Sequence, residues 1–508
     1  MADTKPETAP VGSHVEDHDI LVLGAGLSGI NAAHFLRLQL PNRSFTVLEA
    51  RNRVGGTWSF FRYPGFRSDS SMSSFGFQWH PWPHSSRVGS ADQIAAYLED
   101  AVDKEPGLRD RLRLNHRVVA ADWSSEKERW RLEVLVDDEK IVLMDAKFVI
   151  GCTGYYDYQN PLEVDIPGLA NFDGEIVHPQ FWPDALDLTS KRVALVGSGA
   201  TAVTLLPQLV KTAAHVTQVQ RSPSYVAGMA TRSKLEGWLS LFLPLAWVHY
   251  FCWWQNTLYE LFITEFVLAF PTIAKYAVRK DAKRRLPPDV DVDIHFNPRY
   301  APMTQRLCLT PRGEFFEALH RDNCDIVTDT IDTVTKDGIV LHSGQKIPAD
   351  LIITATGLRF HLLGGIVPTV DGTPVSVGDE FCWRGCMICR LPNMAFTMGY
   401  VTTTWTPGSD QMTKIICKLL AHMEKKGASV AVPWMDPEKE KTEERKPPMA
   451  VSSGYIVKAH NKMPKVTGKG PWYGRENLAK DMWALWFGDL DDGMKYSGFR
   501  KEESQKTI

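Results

Sequence analysis

Neither sign of charge dominates this chain of 508 residues, whose formal net charge is only −3. Proteins that bind nucleic acid carry an excess of basic residues to neutralise phosphates, and this sequence has no such excess. We therefore expect no nucleic-acid partner. The length is too great for one hydrophobic core, so it predicts two or three domains.

Cysteine is scarce and irregularly spaced. The eight cysteines form no framework typical of secreted disulfide proteins, which favours a reduced, cytoplasmic setting. Cys382, Cys386 and Cys389 have a spacing used for iron–sulfur clusters, but they stand late in the chain without the matching fold context. We expect no metal site. Residues 1–18 lack the apolar core of a signal peptide and are predicted to form a disordered tail.

A nucleotide-binding pattern opens the rest of the chain. The apolar run Ile20–Leu23 predicts a buried strand, the loop 24–29 reads G-A-G-L-S-G, and an apolar helical pattern follows to about Leu38. Phe45–Leu48 predicts the next strand. Glu49 at its end can hold a ribose, while the helix start faces a pyrophosphate.

The same design occurs a second time. Val193–Val196 predicts a strand, the loop 197–202 reads G-S-G-A-T-A, and Val216–Gln220 predicts the following strand. Arg221 and Ser222 follow this strand, at the position that Glu49 occupies after the second strand of the first copy. Because an arginine can bind a 2′-phosphate that a carboxylate would repel, this second site is predicted to prefer NADP over NAD.

Two dinucleotide sites imply a relay of electrons from one cofactor to the other and then to an acceptor. Thiol–disulfide reductases keep a reactive cysteine pair soon after the first glycine loop, whereas this chain has no cysteine before Cys152. Oxygen remains as the acceptor. A monooxygenase needs a dry pocket and a fixed cation to use it productively.

The segment from Phe172 to Pro183 fits the pattern F-x-G-x-x-x-H-x-x-x-W-P. This pattern resembles the fingerprint of flavin-dependent Baeyer–Villiger monooxygenases. The segments Gly55–Trp58 and Arg62–Asp69 also resemble that family. With the Q-R-L-C run at 305–308, the resemblance is closest to the ethionamide-activating type, and it covers nearly the whole chain from Asp19 onward.

The resemblance implies two cofactors, FAD and NADPH, and a set of residues that bind them. We expect FAD at Gly24, Gly26, Ser28, Gly29, Glu49, Gly56, Thr57, Trp58, Ser59, Phe60, Arg67, Ser68, Asp69 and Val118, and NADPH at Gly197, Ser198, Gly199, Ala200, Thr201, Ala202, Val203, Arg221 and Ser222. Many members of the family have lysine before the catalytic arginine. This chain has Gln305 there, which puts one phosphate contact to NADP in doubt.

Catalysis is expected to depend on two of these positions. By resemblance, Arg306 stabilises a C4a-peroxyflavin and the adduct formed when it attacks a ketone, and Asp69 orients Arg306 and keeps it charged. His178 and Trp182 are read as conformational anchors that lock one domain orientation.

The expected fold is α/β, with two Rossmann-like dinucleotide-binding domains and a helical insert. Buried strands end at Thr153-Gly154 and again at Thr356-Gly357, which suggests that the NADP domain is inserted in the FAD domain. The predicted parts are the tail 1–18, the FAD domain 19–160, the NADP domain 161–236, the helical insert 237–298, the second NADP part 299–350, and the second FAD part with its C-terminal tail, 351–508. In that tail, Trp472, Trp483 and Trp486 are expected to pack back onto the protein.

The stretch Gly237–Tyr259 has no charged residue and is rich in aromatic residues. Its length fits a membrane span, but a single span would divide the nucleotide domains between two sides of a membrane. A buried helical pair that covers the substrate pocket is the main expectation. Peripheral membrane contact through 237–285 is the alternative, because basic residues follow the aromatic stretch.

The sequence thus predicts an NADPH- and O₂-dependent FAD monooxygenase that turns an apolar ketone, such as a secondary metabolite, into an ester or lactone. Oxygenation of sulfur, nitrogen or a double bond is the alternative. A non-catalytic FAD/NADP-binding sensor or membrane-recruited scaffold is a more remote one.

Overall fold

A computed structural model describes residues 15–401, 403–449, 451–474 and 478–498. Its largest sheet, called the first sheet here, has eleven strands. They are Glu16–Leu23, Phe45–Leu48, Leu112–Arg113, His116–Ser124, Arg129–Val136, Lys140–Gly151, Thr369–Val370, Thr373–Pro374, Cys382–Trp383, Met387–Ile388 and Met394–Phe396.

The strand Glu16–Leu23 lies at the centre of the first sheet, parallel to Phe45–Leu48 on one side and to Lys140–Gly151 on the other. Its residues from Ile20 to Leu23 are almost fully buried because helices and loops cover both faces of the sheet. The strand begins at Glu16, four residues before the predicted start. The predicted tail is therefore wrong for residues 16–18, and its residues 1–14 lie outside the described part of the chain.

The second sheet consists of five parallel strands. In spatial order they are Cys324–Thr328, His215–Gln220, Arg192–Val196, Leu351–Thr354 and Glu175–Val177. Two smaller sheets accompany it, one of Ile331–Thr335, Gly338–Leu341 and Lys346–Pro348, and one of Val226–Met229 and Cys308–Pro311. Helices Ala200–Leu209 and Glu314–Leu319 pack in the same hydrophobic core as the second sheet.

The chain leaves the first sheet after Gly151 and rejoins it at Thr369. Every described strand between Glu175 and Thr354 belongs to the second sheet or to the two smaller sheets beside it. The part of the chain that contains these strands is called the second domain here, and the part that contains the first sheet is called the first domain. The predicted α/β fold with one dinucleotide-binding domain inserted in another is thereby confirmed. In each of the two sheets, a parallel strand is followed at its carboxyl end by a glycine loop, and these two loops line the site described below.

The remaining helices and strands surround these sheets. The α-helices are Leu27–Gln39, Thr57–Phe60, Met72–Phe75, Ala91–Lys104, Leu108–Arg111, Lys234–Leu239, Leu245–Ala269, Pro271–Arg285, Val292–His295, Trp405–Lys426, Pro437–Thr442, Gly454–Lys458 and Leu478–Phe487. The 3₁₀-helices are Leu169–Asn171, Pro179–Phe181, Leu362–Gly365, Val377–Asp379 and His460–Lys462. The strand Val430–Pro433 pairs with Met494–Ser497.

Local sequence explains where several of these helices begin and end. Ser90 and Gln93 form a reciprocal capping box at the start of Ala91–Lys104. Gly427, in the left-handed conformation at φ 69°, ends Trp405–Lys426. Asn115, which has a φ of 55°, separates the strand Leu112–Arg113 from the strand His116–Ser124.

The insert hairpin, defined as helices Leu245–Ala269 and Pro271–Arg285, packs against the short helix Met72–Phe75 and the residues after it. Trp253 Nε1 donates a hydrogen bond to the Gly76 carbonyl at 3.3 Å, and the His249 ring lies 2.9 Å from the Phe77 carbonyl. The two helices meet at a bend of 109°. Among the described helices, none alone is long and apolar enough to cross a membrane, whereas this bent pair together meets the criteria of length and composition.

The expectation of a buried helical pair is wrong for the insert hairpin. Much of its apolar surface faces away from the protein, because only one side of the long helix contacts the first domain. Large exposed apolar side chains on its two helices, or at Phe270 between them, are Leu245, Trp247, Tyr250, Phe251, Leu258, Tyr259, Phe262, Phe266, Leu268, Phe270, Ile273 and Tyr276.

The C-terminal aromatics behave differently from one another. Trp472 is buried as expected, but Trp483 and Trp486 are 67% and 60% exposed, so the prediction that they pack back is wrong. Cys382, Cys386 and Cys389 are buried in the core of the first domain. In the described ranges, no group of three or more His, Cys, Asp or Glu side chains is arranged to hold a metal ion.

Candidate functional site

A cavity of about 1470 Å³ lies between the first and second sheets, and both glycine loops line it. The first loop owes its shape to close packing. A Cβ on Gly24, which has a φ of 104°, would lie 2.7 Å from the Cys152 carbonyl oxygen, and one on Gly29 would collide with the Gly24 carbonyl. Only glycine therefore allows the strand, the loop and the helix Leu27–Gln39 to approach so closely.

Gly26 precedes this helix and has no side chain to cap it, so the first backbone N–H groups remain available to an anion. Glu49 stands beside them. Its Oε2 accepts a hydrogen bond from Ala25 N at 2.8 Å and its Oε1 accepts one from Arg51 N at 3.1 Å. Burial raises the pKa of this carboxyl group, against the effect of the Ala25 amide. The site fits a pyrophosphate at the helix and ribose hydroxyls at Glu49.

The second glycine loop has the same construction. Gly197, with a φ of 141°, packs against the Ala355 carbonyl, while a Cβ on Gly199 would meet nothing within 4 Å because that residue faces the cavity. Gly199 precedes the helix Ala200–Leu209 and leaves its N-terminus uncapped. Arg221 and Ser222 follow the strand His215–Gln220 and are exposed on the cavity wall. These groups fit a dinucleotide with an additional phosphate on its ribose.

Between the two loops, the segment from Tyr63 to Asp69 joins the two domains through alternate residues. Tyr63 contacts Thr201, and a Cβ on Gly65 would lie 2.8 Å from Gln208 Cγ. Arg67 Nη2 pairs with Glu314 Oε1 at 2.6 Å. Of the residues between them, Phe66 stacks on Trp58 and also packs against Tyr63, and Ser68 donates to the Ser70 carbonyl.

The last contact of this segment is the ion pair of Asp69 with Arg306. Arg306 Nε donates to Asp69 Oδ2 at 2.7 Å, and Nη2 donates to Oδ1. Burial alone would lower the pKa of Arg306, but the charge and hydrogen bonds of Asp69 outweigh it and raise that pKa. The Arg306 side chain is still 40% exposed, and it lines the cavity. The arrangement holds a permanent cation on the cavity wall.

Three tyrosines beside Arg306 were not expected from the sequence. Tyr155, Tyr156 and Tyr455 line the cavity together with Trp405. The sequence signal that could have indicated this cluster is the pair of tyrosines directly after Thr153-Gly154, where the chain leaves the first domain. Tyr455, by contrast, comes from a distant part of the chain. Trp405 Nε1 donates to Ser28 Oγ at 2.9 Å and so connects this wall to the first glycine loop.

Most predicted site residues lie on the cavity wall. They are Gly24, Gly26, Ser28, Glu49, Gly56, Thr57, Trp58, Phe60, Arg67, Ser68, Asp69, Val118, Gly197, Ser198, Gly199, Ala200, Thr201, Arg221, Ser222 and Arg306. Gly29, Ser59, Ala202 and Val203 do not line this cavity and instead pack the loops and helices that support it.

The aromatic insert does not cover this cavity, contrary to expectation. None of the side chains described in residues 225–304 lines this cavity, because the insert hairpin packs on the outer side of the helix Met72–Phe75. The apolar part of the wall includes instead the aromatic residues Trp58, Phe60, Phe66, Phe75 and Trp405.

The fingerprint segment lies outside the cavity, next to the second sheet. Its residues Glu175–Val177 form the edge strand, and Gly174 is required because a Cβ there would lie 2.6 Å from the Phe172 ring and 2.5 Å from the Asp350 carbonyl oxygen. His178 Nδ1 accepts a hydrogen bond from Gln180 N at 3.2 Å. Burial lowers the pKa of His178, with an opposing effect from the Gly357 backbone. Trp182 lies in a small groove beside Arg62.

Comparisons with known proteins agree with this geometry. A family model described as an NAD(P)-binding Rossmann-like domain matches residues 22–88, and one described as flavin-binding monooxygenase-like matches residues 93–239. The FAD-containing monooxygenase EthA of Mycolicibacterium smegmatis is 37% identical over 94% of this chain and 96% of its own length. The probable FAD-binding monooxygenase AlmA of Acinetobacter baylyi is 38% identical over 94% and 96%.

Solved structures show the same fold at lower sequence identity. An oxidized steroid monooxygenase bound to NADP superposes with a TM-score of 0.71 at 21% identity, covering 94% of this chain and 99% of that one. An open structure of cyclohexanone monooxygenase gives 0.72 at 20% identity, covering 95% and 100%.

Proposed function

Because the chain belongs to the FAD-containing, flavin-binding monooxygenases, we propose that it inserts one oxygen atom of O₂ beside the carbonyl of an apolar ketone. The expected family, enzyme class and cofactors, FAD and NADPH, are confirmed. The observation that carries the proposal is the Asp69–Arg306 ion pair, which fixes a cation on the wall of the cavity between the two dinucleotide loops.

We assign FAD to the first glycine loop with Glu49 and NADPH to the second with Arg221. When bound, FAD accepts a hydride equivalent from NADPH and activates O₂, chemistry that no side chain supplies. The overall reaction balances as ketone, O₂, NADPH and one proton giving ester, NADP⁺ and water. The activated-oxygen form of the flavin expected from the sequence remains a prediction.

Arg306 supplies the electrostatic part of the reaction. When an oxygen nucleophile adds to a carbonyl, negative charge develops on the oxygens of the adduct, and a fixed cation placed in advance stabilises it. Asp69 holds the guanidinium by two hydrogen bonds, so little reorganisation is needed during the reaction. The part of Arg306 that remains exposed faces the chamber in which the substrate must lie.

An apolar substrate follows from the wall of the cavity. Trp58, Phe66, Phe75 and Trp405 present rings that exclude water and favour an apolar ligand. Excluding water also protects activated oxygen from decay to hydrogen peroxide. His178 and Trp182 are proposed to fix the relative orientation of the two domains, since His178 lies next to Gly357, where the chain returns to the first domain.

A labelling experiment tests the proposed reaction. The FAD-loaded enzyme is supplied with NADPH, ¹⁸O₂ and 2-dodecanone, and the products are analysed by mass spectrometry. We expect an ester with one ¹⁸O atom and about one NADPH consumed per ester. Stoichiometric hydrogen peroxide without ester, across a panel of ketones and thioethers, would instead indicate an oxidase or a non-catalytic flavoprotein.

We also propose that the protein, expected to be cytoplasmic, contacts a membrane surface peripherally through the insert hairpin. The support is the exposed apolar face of Leu245–Ala269 together with exposed Lys280, Lys283 and Arg284 at the end of the next helix. Aromatic side chains beside basic ones suit the boundary between acyl chains and anionic headgroups.

A further inference from the structure

The tyrosine cluster, defined as Tyr155, Tyr156 and Tyr455, lies on the cavity wall next to Arg306. Tyr155 and Tyr156 directly follow Thr153-Gly154, and Tyr455 belongs to the short helix Gly454–Lys458. Residues 300 positions apart in the chain thus meet beside the cation on which the proposed reaction depends. Nothing in the ion pair of Asp69 and Arg306 requires hydroxyl groups there.

The three hydroxyl groups are in mutual contact. The Tyr155 and Tyr156 oxygens are 3.1 Å apart, and the Tyr455 hydroxyl interacts with both. Each phenol carries one proton and can both donate and accept. A ligand oxygen that enters the cluster can therefore take over one donated hydrogen bond while the remaining hydroxyls stay paired with each other.

The rings are held in place to different degrees. Tyr155 is buried between Phe360, at a centroid distance of 5.8 Å, and Trp405, at 5.6 Å, both nearly parallel to it. Tyr156 and Tyr455 are only partly buried and border the open chamber. The Tyr155 ring is thus held in place by its neighbours, whereas a ligand in the chamber can reach the hydroxyl groups of Tyr156 and Tyr455.

Burial raises the pKa of each of these phenols, so all three keep their protons over the range in which the enzyme works. The positive charge of Arg306 acts in the opposite direction without reversing that shift. The cluster consequently offers neutral hydrogen-bond donors beside a fixed cation.

We propose that Tyr156 and Tyr455 donate hydrogen bonds to the carbonyl oxygen of the ketone, and that Tyr155 positions both hydroxyls. This inference rests on the proposed function and names the residues that recognise the ketone. Hydrogen bonds to a carbonyl oxygen make its carbon more electrophilic, and they strengthen as negative charge develops on that oxygen. A thioether sulfur is a weak acceptor and gains little from such donors.

Matched substrates test the inference by kinetics. 2-Dodecanone and methyl decyl sulfide have the same chain, with a carbonyl group replaced by sulfur. In Tyr156→Phe and Tyr455→Phe we expect kcat/KM for the ketone to fall about 10- to 100-fold, while that for the sulfide changes less than about threefold. An equal fall for both substrates would overturn the inference, because it would mean that the hydroxyls only maintain the shape of the cavity.

Tyr496→Phe serves as the control for loss of a tyrosine hydroxyl. Tyr496 donates to the Leu490 carbonyl at 2.9 Å and lies outside the cavity wall, so both substrates should react as in the wild type. Flavin content and thermal unfolding of each variant are measured alongside to show that the fold is retained.

A binding experiment provides a readout without turnover. Infrared spectra of 2-dodecanone labelled with ¹³C at the carbonyl are recorded on the oxidised, FAD-loaded enzyme without NADPH. The carbonyl band of the ketone bound to the wild type should lie at lower frequency than in hexane, and Tyr156→Phe and Tyr455→Phe should each return it part of the way. A wild-type band at the hexane position, or variant bands identical to a shifted wild-type band, would overturn the inference.

The two experiments separate this inference from the proposed function. A shifted carbonyl band that depends on the tyrosines, without ester formation in the wild type, would contradict the ketone oxygenation and retain the recognition site. Ester formation that persists unchanged in both variants would contradict the recognition site alone.

Discussion

Asp69 and Arg306 are 237 positions apart in the sequence and form a two-point ion pair on the wall of the cavity. Each comes from a different domain, so the pair forms only when both domains are folded and docked. The position of the cation is therefore a property of the domain arrangement and of no single loop.

Loss of this cation should affect ketones more than thioethers. We expect Arg306→Ala to lower kcat/KM for ketone oxygenation about 10²- to 10³-fold, because the developing negative charge loses its partner, while sulfur oxygenation falls less than about tenfold. Steady-state kinetics with 2-dodecanone and methyl decyl sulfide measure both. Ketone turnover unchanged in Arg306→Ala would show that the assigned mechanism is wrong.

A double-mutant comparison tests whether Asp69 acts through Arg306. Asp69→Asn should lower ketone turnover less than Arg306→Ala does, and it should have almost no further effect once Arg306 is alanine. Additive losses would show that Asp69 has an independent role. Flavin content, measured from absorbance, controls for loss of cofactor in each variant.

Arg221 should determine the choice of nicotinamide cofactor. In Arg221→Ala we expect KM for NADPH to rise about 10- to 100-fold, because a charged contact to the 2′-phosphate is lost. NADH lacks that phosphate and serves as the internal control, with its KM nearly unchanged. If both values rise equally, the arginine supports the domain and does not select the cofactor.

The insert hairpin should bind anionic lipid. Trp247, Phe251 and Phe262 lie on one stripe of the long helix and are all exposed, so changing them to serine removes apolar contact area without opening the core. We expect wild-type protein to float with vesicles of phosphatidylglycerol and phosphatidylcholine, less so at high salt, and the triple variant to remain in solution.

Two exposed tryptophans elsewhere on the protein provide a control for the flotation experiment. Trp483 and Trp486 are equally exposed but lie on the C-terminal helix Leu478–Phe487. Replacing them with serine should leave flotation unchanged. Equal loss in both variants would point to nonspecific adhesion, and no flotation of the wild type would refute the membrane contact.

Asp410 should make stability depend on pH. Burial raises its pKa to about 6, and Asn31 Nδ2 donates to its Oδ1 at 2.6 Å. Because the folded protein binds this proton more tightly than the unfolded chain does, stability falls as pH rises from about 4 to about 6 and stays lower above that range. Asp410→Asn should therefore raise Tm at pH 7.5 and have little effect near pH 4, as measured by thermal unfolding of the FAD-loaded enzyme. The reverse order would contradict the assigned shift.

Local patterns in the sequence predicted the nucleotide-binding parts well. The strand Phe45–Leu48 has the predicted bounds, and the strands predicted at Val193–Val196 and Val216–Gln220 each begin only one residue earlier, because a short apolar run between turn residues determines a strand locally. The glycine loops were equally recognisable, since a Cβ on Gly24, Gly29 or Gly197 would collide with a backbone carbonyl group.

The insert and the tyrosine cluster show what local patterns omit. An uncharged aromatic stretch has the same composition whether it covers a pocket or faces outward, and only the docking of Trp253 against Gly76 decides between them. Tyr455 reaches Tyr155 through the return of the chain to the first domain. That proximity depends on the complete topology and has no counterpart in the neighbouring sequence.

The alternating contacts of the segment Tyr63–Asp69 bear on the construction of chimeric enzymes. A nicotinamide-binding domain taken from another monooxygenase would bring its own residues in place of Thr201, Gln208, Glu314 and Arg306, and these would meet residues 63–69 of the host. An insertion or deletion of one residue in that segment would move the residues after it out of register with these partners. We therefore expect exchange of the second domain to succeed only when residues 63–69 are transferred together with it.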